Sequence, residues 1–112
     1  MNHLEFKKLT VFTITDFNDY TSSGVALKNI IHKTTGNVNA ISIDKGEQLT
    51  EKLSRFDHFI HIIEGKAEIW VDGQIYNLNS GQCIIIPANS KNTIKANEKF
   101  KMISTIIKSG YE

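Results

Sequence analysis

Apolar, β-branched runs recur along this chain at short intervals, each followed by residues that make turns. The runs are Leu9 to Ile14, Val25 to Ile31, Val38 to Ile43, Phe59 to Ile63, Ala67 to Val71, Gln74 to Leu78, Cys83 to Ile86, Thr93 to Ala96 and Phe100 to Ile107. Between them stand Gly24, Gly36-Asn37, Asp44-Lys45-Gly46, Glu64-Gly65, Asp72-Gly73, Asn79-Ser80-Gly81 and Pro87 to Ser90, residue types that tolerate or impose turn dihedrals. Nine short strands is the reading, with a helical turn expected only around the polar segment Asp16 to Ser23. Asp72-Gly73 is the sharpest local signal. A two-residue hairpin turn wants positive φ at both positions, and Asp-Gly meets that demand cheaply. From Lys66 to Val71 the side chains alternate, with Ala67, Ile69 and Val71 on one face, whereas Ile84 to Ile86 is apolar on both faces. A closed barrel or sandwich accommodates that mixture.

At 112 residues the chain is expected to be one domain, 1–112. Its parts would be an N-terminal strand and turn over 1–22, a central region over 46–96 and a C-terminal tail over 108–112. A formal net charge of +1, with the thirteen Lys and Arg spread along the chain, gives no electrostatic footprint for nucleic acid or an anionic membrane. A small-molecule or protein partner is expected instead. The single cysteine, Cys83, excludes an intrachain disulfide and is expected to be a buried, inert thiol in its apolar run, which fits a reducing cytoplasm. The start, MNHLEFKKLT, has no apolar signal-peptide core, and no apolar run approaches the roughly 18 residues needed to span a bilayer.

The central spacing is regular. From Gly46 five residues lead to Lys52, Ser54 is two later, His58 four after that and Gly65 seven beyond. Fifteen residues then separate Gly65 from Gly81, and Pro87, Asn89, Asn92 and Ala96 follow. This resembles the two-motif signature of the cupin superfamily, G(X)5HXH(X)3-4E(X)6G followed by G(X)5PXG(X)2H(X)3N, in its small single-domain form. The resemblance implies an all-β fold, a double-stranded β-helix or jelly-roll barrel, often paired as a homodimer through an edge strand. It places Lys52, Ser54, His58 and Asn92 at the positions that usually carry metal ligands. None of the usual ligand types is in its usual place. A protonated ammonium has no lone pair, and the neutral oxygens of Ser and Asn bind transition metals weakly, so one imidazole remains where a catalytic ion typically has about three protein ligands. No resident metal or other cofactor is expected, a divalent ion through His58 being the outside case.

Each candidate has a plain alternative. His58 can serve as a proton shuttle or ligand-binding group, or only fill space and bond to a neighbour. Lys52 can neutralise an anionic ligand or lie along the barrel mouth. Ser54 and Asn92 can orient a small ligand without an ion, or be relics of a lost site. Asn89 stands where the pattern has glycine, which suits positive φ. Trp70, Tyr76 and His61 can form a sugar-stacking or partner-binding surface, or a dimer interface or second packed layer of the barrel. His58 and His61 are three apart, as in a chelating HxxH on a helix, but on a strand they face opposite sides of the sheet.

Three functions follow as expectations. The first is a cytoplasmic homodimeric barrel that binds a small molecule, anionic if Lys52 faces it, through Lys52, Ser54, His58 and Asn92. The second is an enzyme, either a metal-free isomerase or epimerase with His58 as its catalytic group or a metal-dependent oxygenase. The third is a structural dimeric barrel filled by Phe56, Ile60, Ile62 and other apolar side chains.

Overall fold

The computed structural model describes residues 5–16, 20, 24–51 and 54–110. They form nine strands: β1 Val25–Lys33, β2 Gly36–Ile43, β3 Gln48–Glu51, β4 His58–Glu64, β5 Lys66–Val71, β6 Gln74–Asn79, β7 Cys83–Ile86, β8 Asn92–Lys95 and β9 Phe100–Ile107. All pairings are antiparallel. A five-stranded sheet runs β1-β2-β9-β4-β7 and a four-stranded sheet runs β3-β8-β5-β6. The two sheets enclose the core as a jelly-roll barrel.

The order of the strands explains the turn residues. After β2 the chain changes sheets at nearly every connection, and the one exception is the β5–β6 hairpin. There Asp72 and Gly73 have φ of 48° and 83°, the positive values their sequence demands. Gly46 lies at the β2–β3 corner and donates its N–H to Ala96 O at 2.7 Å. Gly81 lies at the β6–β7 corner and donates to Ile62 O at 2.7 Å. Pro87 to Ser90 forms the β7–β8 corner, where Asn89 has a φ of 64° and Ser90 Oγ donates to Pro87 O at 2.6 Å. Gly65, at the β4–β5 corner, is the most constrained. Its φ is 82°, and a Cβ there would lie 2.6 Å from Lys99 O and 2.8 Å from Phe100 Cβ.

Alternation then decides what is buried. On β5 the pattern is strict, with Ala67, Ile69 and Val71 inside. Ile43, Ile60, Ile62, Ile69, Ile86 and Phe100 are fully buried, each worth about 1.5–3 kcal/mol of apolar transfer. The outer face of the larger sheet is covered at one end. Lys101, itself buried, donates to Thr15 O at 2.6 Å, and it and Lys99 lie 5.1 and 4.9 Å from the Tyr20 ring centre. Tyr20 donates its hydroxyl to Glu64, and burial first and that carboxylate second push its ionisation well above the usual phenol range. At the β1 edge, Phe6 N–H donates to Ile30 O and Glu5 Oε2 accepts from His32 N–H, which blunts an otherwise open edge strand.

Four expectations need correction. Leu9 to Ile14 is not a strand: Leu9 has a φ of 57°, and Leu9 and Val11 are fully exposed, because the segment lies outside both sheets and no strand pairs with it. Gln48–Glu51 is a strand, made by pairing with β8 rather than by its own polar sequence. Cys83 is exposed, because on β7 it pairs with the outward-facing His61. Ile85 is 66% exposed, so β7 is buried on one face only. Of the turn expected over Asp16 to Ser23, Asp16 closes a bend by donating to Thr13 O, and residues 17–19 and 21–23 lie outside the described residues.

The Gly65 corner can be tested directly. Gly65→Ala should lower unfolding free energy by more than about 2 kcal/mol in denaturant titration, since backbone strain and collision add. Gly73→Ala has the same sign of φ but nothing within 4 Å of its new methyl, and should cost about 1 kcal/mol.

Candidate functional site

Six strands, mostly through inward positions, bound a cavity of about 240 Å³ between the sheets that opens to solvent beside the exposed Leu27. Its apolar walls include Leu27, Ile41, Leu49, Ile60, Ile94 and Met102, and its polar groups are Asn39, Thr50, His58, Asn92 and Ser104. Pairing explains the convergence. His58 and Ile60 lie opposite Ile106 and Ser104 of β9, while Asn39 and Ile41 lie opposite Ser104 and Met102. From the other sheet, Asn92 and Ile94 lie opposite Val71 and Ile69 and so face inward with them.

His58, 7% exposed, meets Ser54 Oγ through Nε2 at 2.8 Å. The same hydroxyl lies 2.8 Å from Phe56 O and 3.3 Å from Phe56 N. A hydroxyl has one proton to give. With that proton on the Phe56 carbonyl, both contacts are satisfied when His58 donates through Nε2–H, and the serine then accepts from His58 and from Phe56 N–H. Ser54 is itself bolted to the β7–β8 corner: its carbonyl accepts from Asn89 N–H and its N–H donates to Ser90 O. Ser54 therefore orients His58 and is saturated in doing so.

Asn92 and Asn39 are placed differently. They are 6% and 8% exposed, and Asn92 Nδ2 and Asn39 Oδ1 are buried without a hydrogen-bond partner. One is a donor on β8 and the other an acceptor on β2, and each is shut off from solvent without a partner. The structure thus brings together Ser54, His58 and Asn92 of the four residues expected at the site, and Lys52 lies outside the described residues. Asn39 belongs to the site although it stands outside the central spacing.

Among the described residues no three or more of His, Cys, Asp and Glu come together as a metal site. A serine oxygen engaged with Phe56 and the imidazole, an amide and one histidine nitrogen already turned to that serine are a poor donor set for a transition ion. The described residues do not fit such an ion.

The outer aromatic residues do not form one surface. His61 lies on the outer face of the five-stranded sheet opposite Cys83 and Ile103, whereas Trp70 belongs to the other sheet. Tyr76 pairs with the inward-facing Ile69, but β6 is an edge strand and leaves it exposed. Trp70 is tied down locally: its indole N–H donates to Glu68 Oε2 at 2.7 Å and Lys95 Nζ lies 5.4 Å from the ring centre. That indole N–H first and the Asn97 amide second hold the Glu68 carboxyl below its ordinary range.

Removing the Ser54 hydroxyl isolates its role. Ser54→Ala leaves a buried imidazole N–H unpaired and should cost about 1–3 kcal/mol in denaturant unfolding. A change within about 0.5 kcal/mol would show that the hydroxyl does not hold His58.

Known proteins bear on this geometry. The sequence model of the cupin domain matches residues 40–106, more than half of the chain. A conserved protein of unknown function from Streptococcus pyogenes superposes with a TM-score of 0.87 at 25% identity, over 97% of this chain and 94% of that one. A cupin superfamily protein from Desulfitobacterium hafniense gives 0.87 at 17% identity, over 97% and 100%. A cupin 2 conserved barrel domain protein from Leptotrichia buccalis gives 0.90 at 17% identity, over 96% of this chain and 51% of that one. No curated protein sequence matches the chain significantly. With its sheets, corners and sequence all in the same pattern, the chain belongs to the cupin family.

Proposed function

We propose that the protein is a metal-free cupin that binds a small molecule between its sheets, as a homodimer in the cytoplasm. The cavity beside His58 carries this reading. A structural barrel filled by its own side chains would leave no such space, yet Ile60 and Ile62 are fully buried while the room between Leu27, Leu49 and Ile94 stays open. Mostly apolar walls with a few convergent polar groups are the usual form of a small-molecule site. Binding is favoured over catalysis because His58 is the one titratable side chain among the described lining residues. An isomerase or epimerase needs a second group to receive or return the proton. Among the described residues no helix is long and apolar enough to cross a membrane, and the exposed Cys83 thiol suits a reducing compartment.

The homodimer rests on a separate observation. Ile31, Val38, Thr105, Phe59 and Ile85 are in register as one row across all five strands of the larger sheet, on its outer face. No member is charged, and Ile31, Phe59 and Ile85 are exposed. An uncharged row is its own complement, so a second copy can meet it about a two-fold axis without like-charge repulsion.

Two experiments test these readings. In a thermal-shift screen of metabolite-sized compounds, at least one should stabilise the wild type by on the order of 10 °C when present at about 100 times its Kd. The same compound should fail with Leu49→Trp, which plugs the cavity; a compound that stabilises both equally binds elsewhere, and a blank screen argues for the structural barrel. By sedimentation velocity the wild type should be a dimer and the Phe59→Lys, Ile85→Lys double variant a folded monomer. A monomeric wild type would dismiss the dimer.

A further inference from the structure

The cavity wall is not equally closed all round. Resting on the barrel-binding reading, we infer that the ligand enters through the seam between edge strands β1 and β3, and that Leu27 and Leu49, one on each, are the lips that set which molecules pass.

Exposure along the inward rows carries the inference. Leu27, Ile41, Met102 and Ile62 are in register across β1, β2, β9 and β4, on the inner face of the larger sheet. Leu27 is 54% exposed, Ile41 6%, and Met102 and Ile62 are fully buried. Facing them, Leu49, Ile94 and Ile69 are in register across β3, β8 and β5. Exposure falls inward there too, from the half-buried Leu49 to the fully buried Ile69. Both rows are thus open at the strands where their sheets end.

Edge exposure alone is ordinary. Here, however, the same two leucines line the cavity, so the water that reaches Leu27 borders the space that His58 closes three strands away. The opposite seam, between β6 and β7, is packed shut on the cavity side by Ile60, Ile62, Ile69 and Ile86, all fully buried. The β1 lip is also held from outside. Just past Leu27 the β1–β2 register shifts by one residue between Asn29 and Ile31, and the extra residue, Ile30, accepts the Phe6 N–H on its carbonyl. With the strand pinned at that bulge, the width of the mouth is set by the leucine side chains.

Thiol reagents of one chemistry and two widths read the passage. In a Cys83→Ser background, Ser104→Cys puts a nearly isosteric thiol on the cavity wall, and its labelling by methyl and by benzyl methanethiosulfonate reports entry. The benzyl-to-methyl rate ratio, compared with the same ratio at the exposed Cys83 of the wild type, cancels the intrinsic reactivity of the reagents. The cavity thiol should discriminate against the benzyl reagent by about tenfold or more. Leu27→Ala should raise the ratio severalfold, and Leu27→Trp should slow both reagents by about tenfold. Tyr76→Trp, at the opposite seam, should change neither. Rates that stay the same in both Leu27 variants would overturn this mouth and leave the barrel reading standing, since the reagents then reach the cavity by another route. A cavity thiol that reacts with both reagents only as fast as the chain unfolds marks a closed space; the barrel reading then fails and the mouth falls with it.

Discussion

The close approach at Gly65 is the contact on which the barrel depends. With φ at 82° and the Lys99 carbonyl and Phe100 Cβ inside 3 Å of where a Cβ would stand, only a bare Cα lets β4 leave the larger sheet and become β5 of the smaller one. That crossing sets the Phe100 ring and Ile62 at the core and starts the β5–β6 hairpin against them. The other crossings are variations on it. Gly46 and Gly81 use positive φ to bring an N–H onto a carbonyl of a neighbouring segment, and the Pro87 corner substitutes Asn89 for glycine, an exchange that asparagine tolerates. Glycines that look like loop residues in the sequence are thus the places where one sheet is exchanged for the other.

This is why the fold is legible in the chain. The spacing from Gly46 through Gly65 and Gly81 to Pro87 records the corners, and the alternation between them records which side of each strand is inside. Eight of the nine expected runs coincide with strands. The failures share one cause, that pairing is supplied by partners rather than by composition. Leu9 to Ile14 has strand-forming residues and lies outside the sheets, whereas Gln48–Glu51 has one strongly apolar residue, Leu49, and is held in place by β8. Cys83 was read from its apolar neighbours, but edge strand β7 has a bare outer face.

The site was half legible for a related reason. The corner spacing fixes the phase of His58 and Asn92 on their strands, so both reach one cavity, with Ser54 bonded to His58. Asn39 could not be placed, because its strand reads apolar on both sides: Val38, Ala40 and Ser42 against Asn39, Ile41 and Ile43. Alternation without contrast does not say which set faces in. The pairing Asn39 with Ser104 and Ile41 with Met102 settles the question in three dimensions, where the sequence had no signal to offer.

The polar groups inside the barrel therefore fall into two kinds. Ser54 is saturated by Phe56, His58 and the Asn89 corner, and its value is structural. Asn92 and Asn39 each leave a buried atom unpaired, at about 1–3 kcal/mol apiece. Leucine has nearly the same shape as asparagine and would remove both penalties while adding apolar burial, so a barrel serving only as a scaffold would be more stable with leucine at both positions. Two amides that weaken the core from opposite sheets therefore leave the stability of the barrel to the fully buried isoleucines and Phe100 around them.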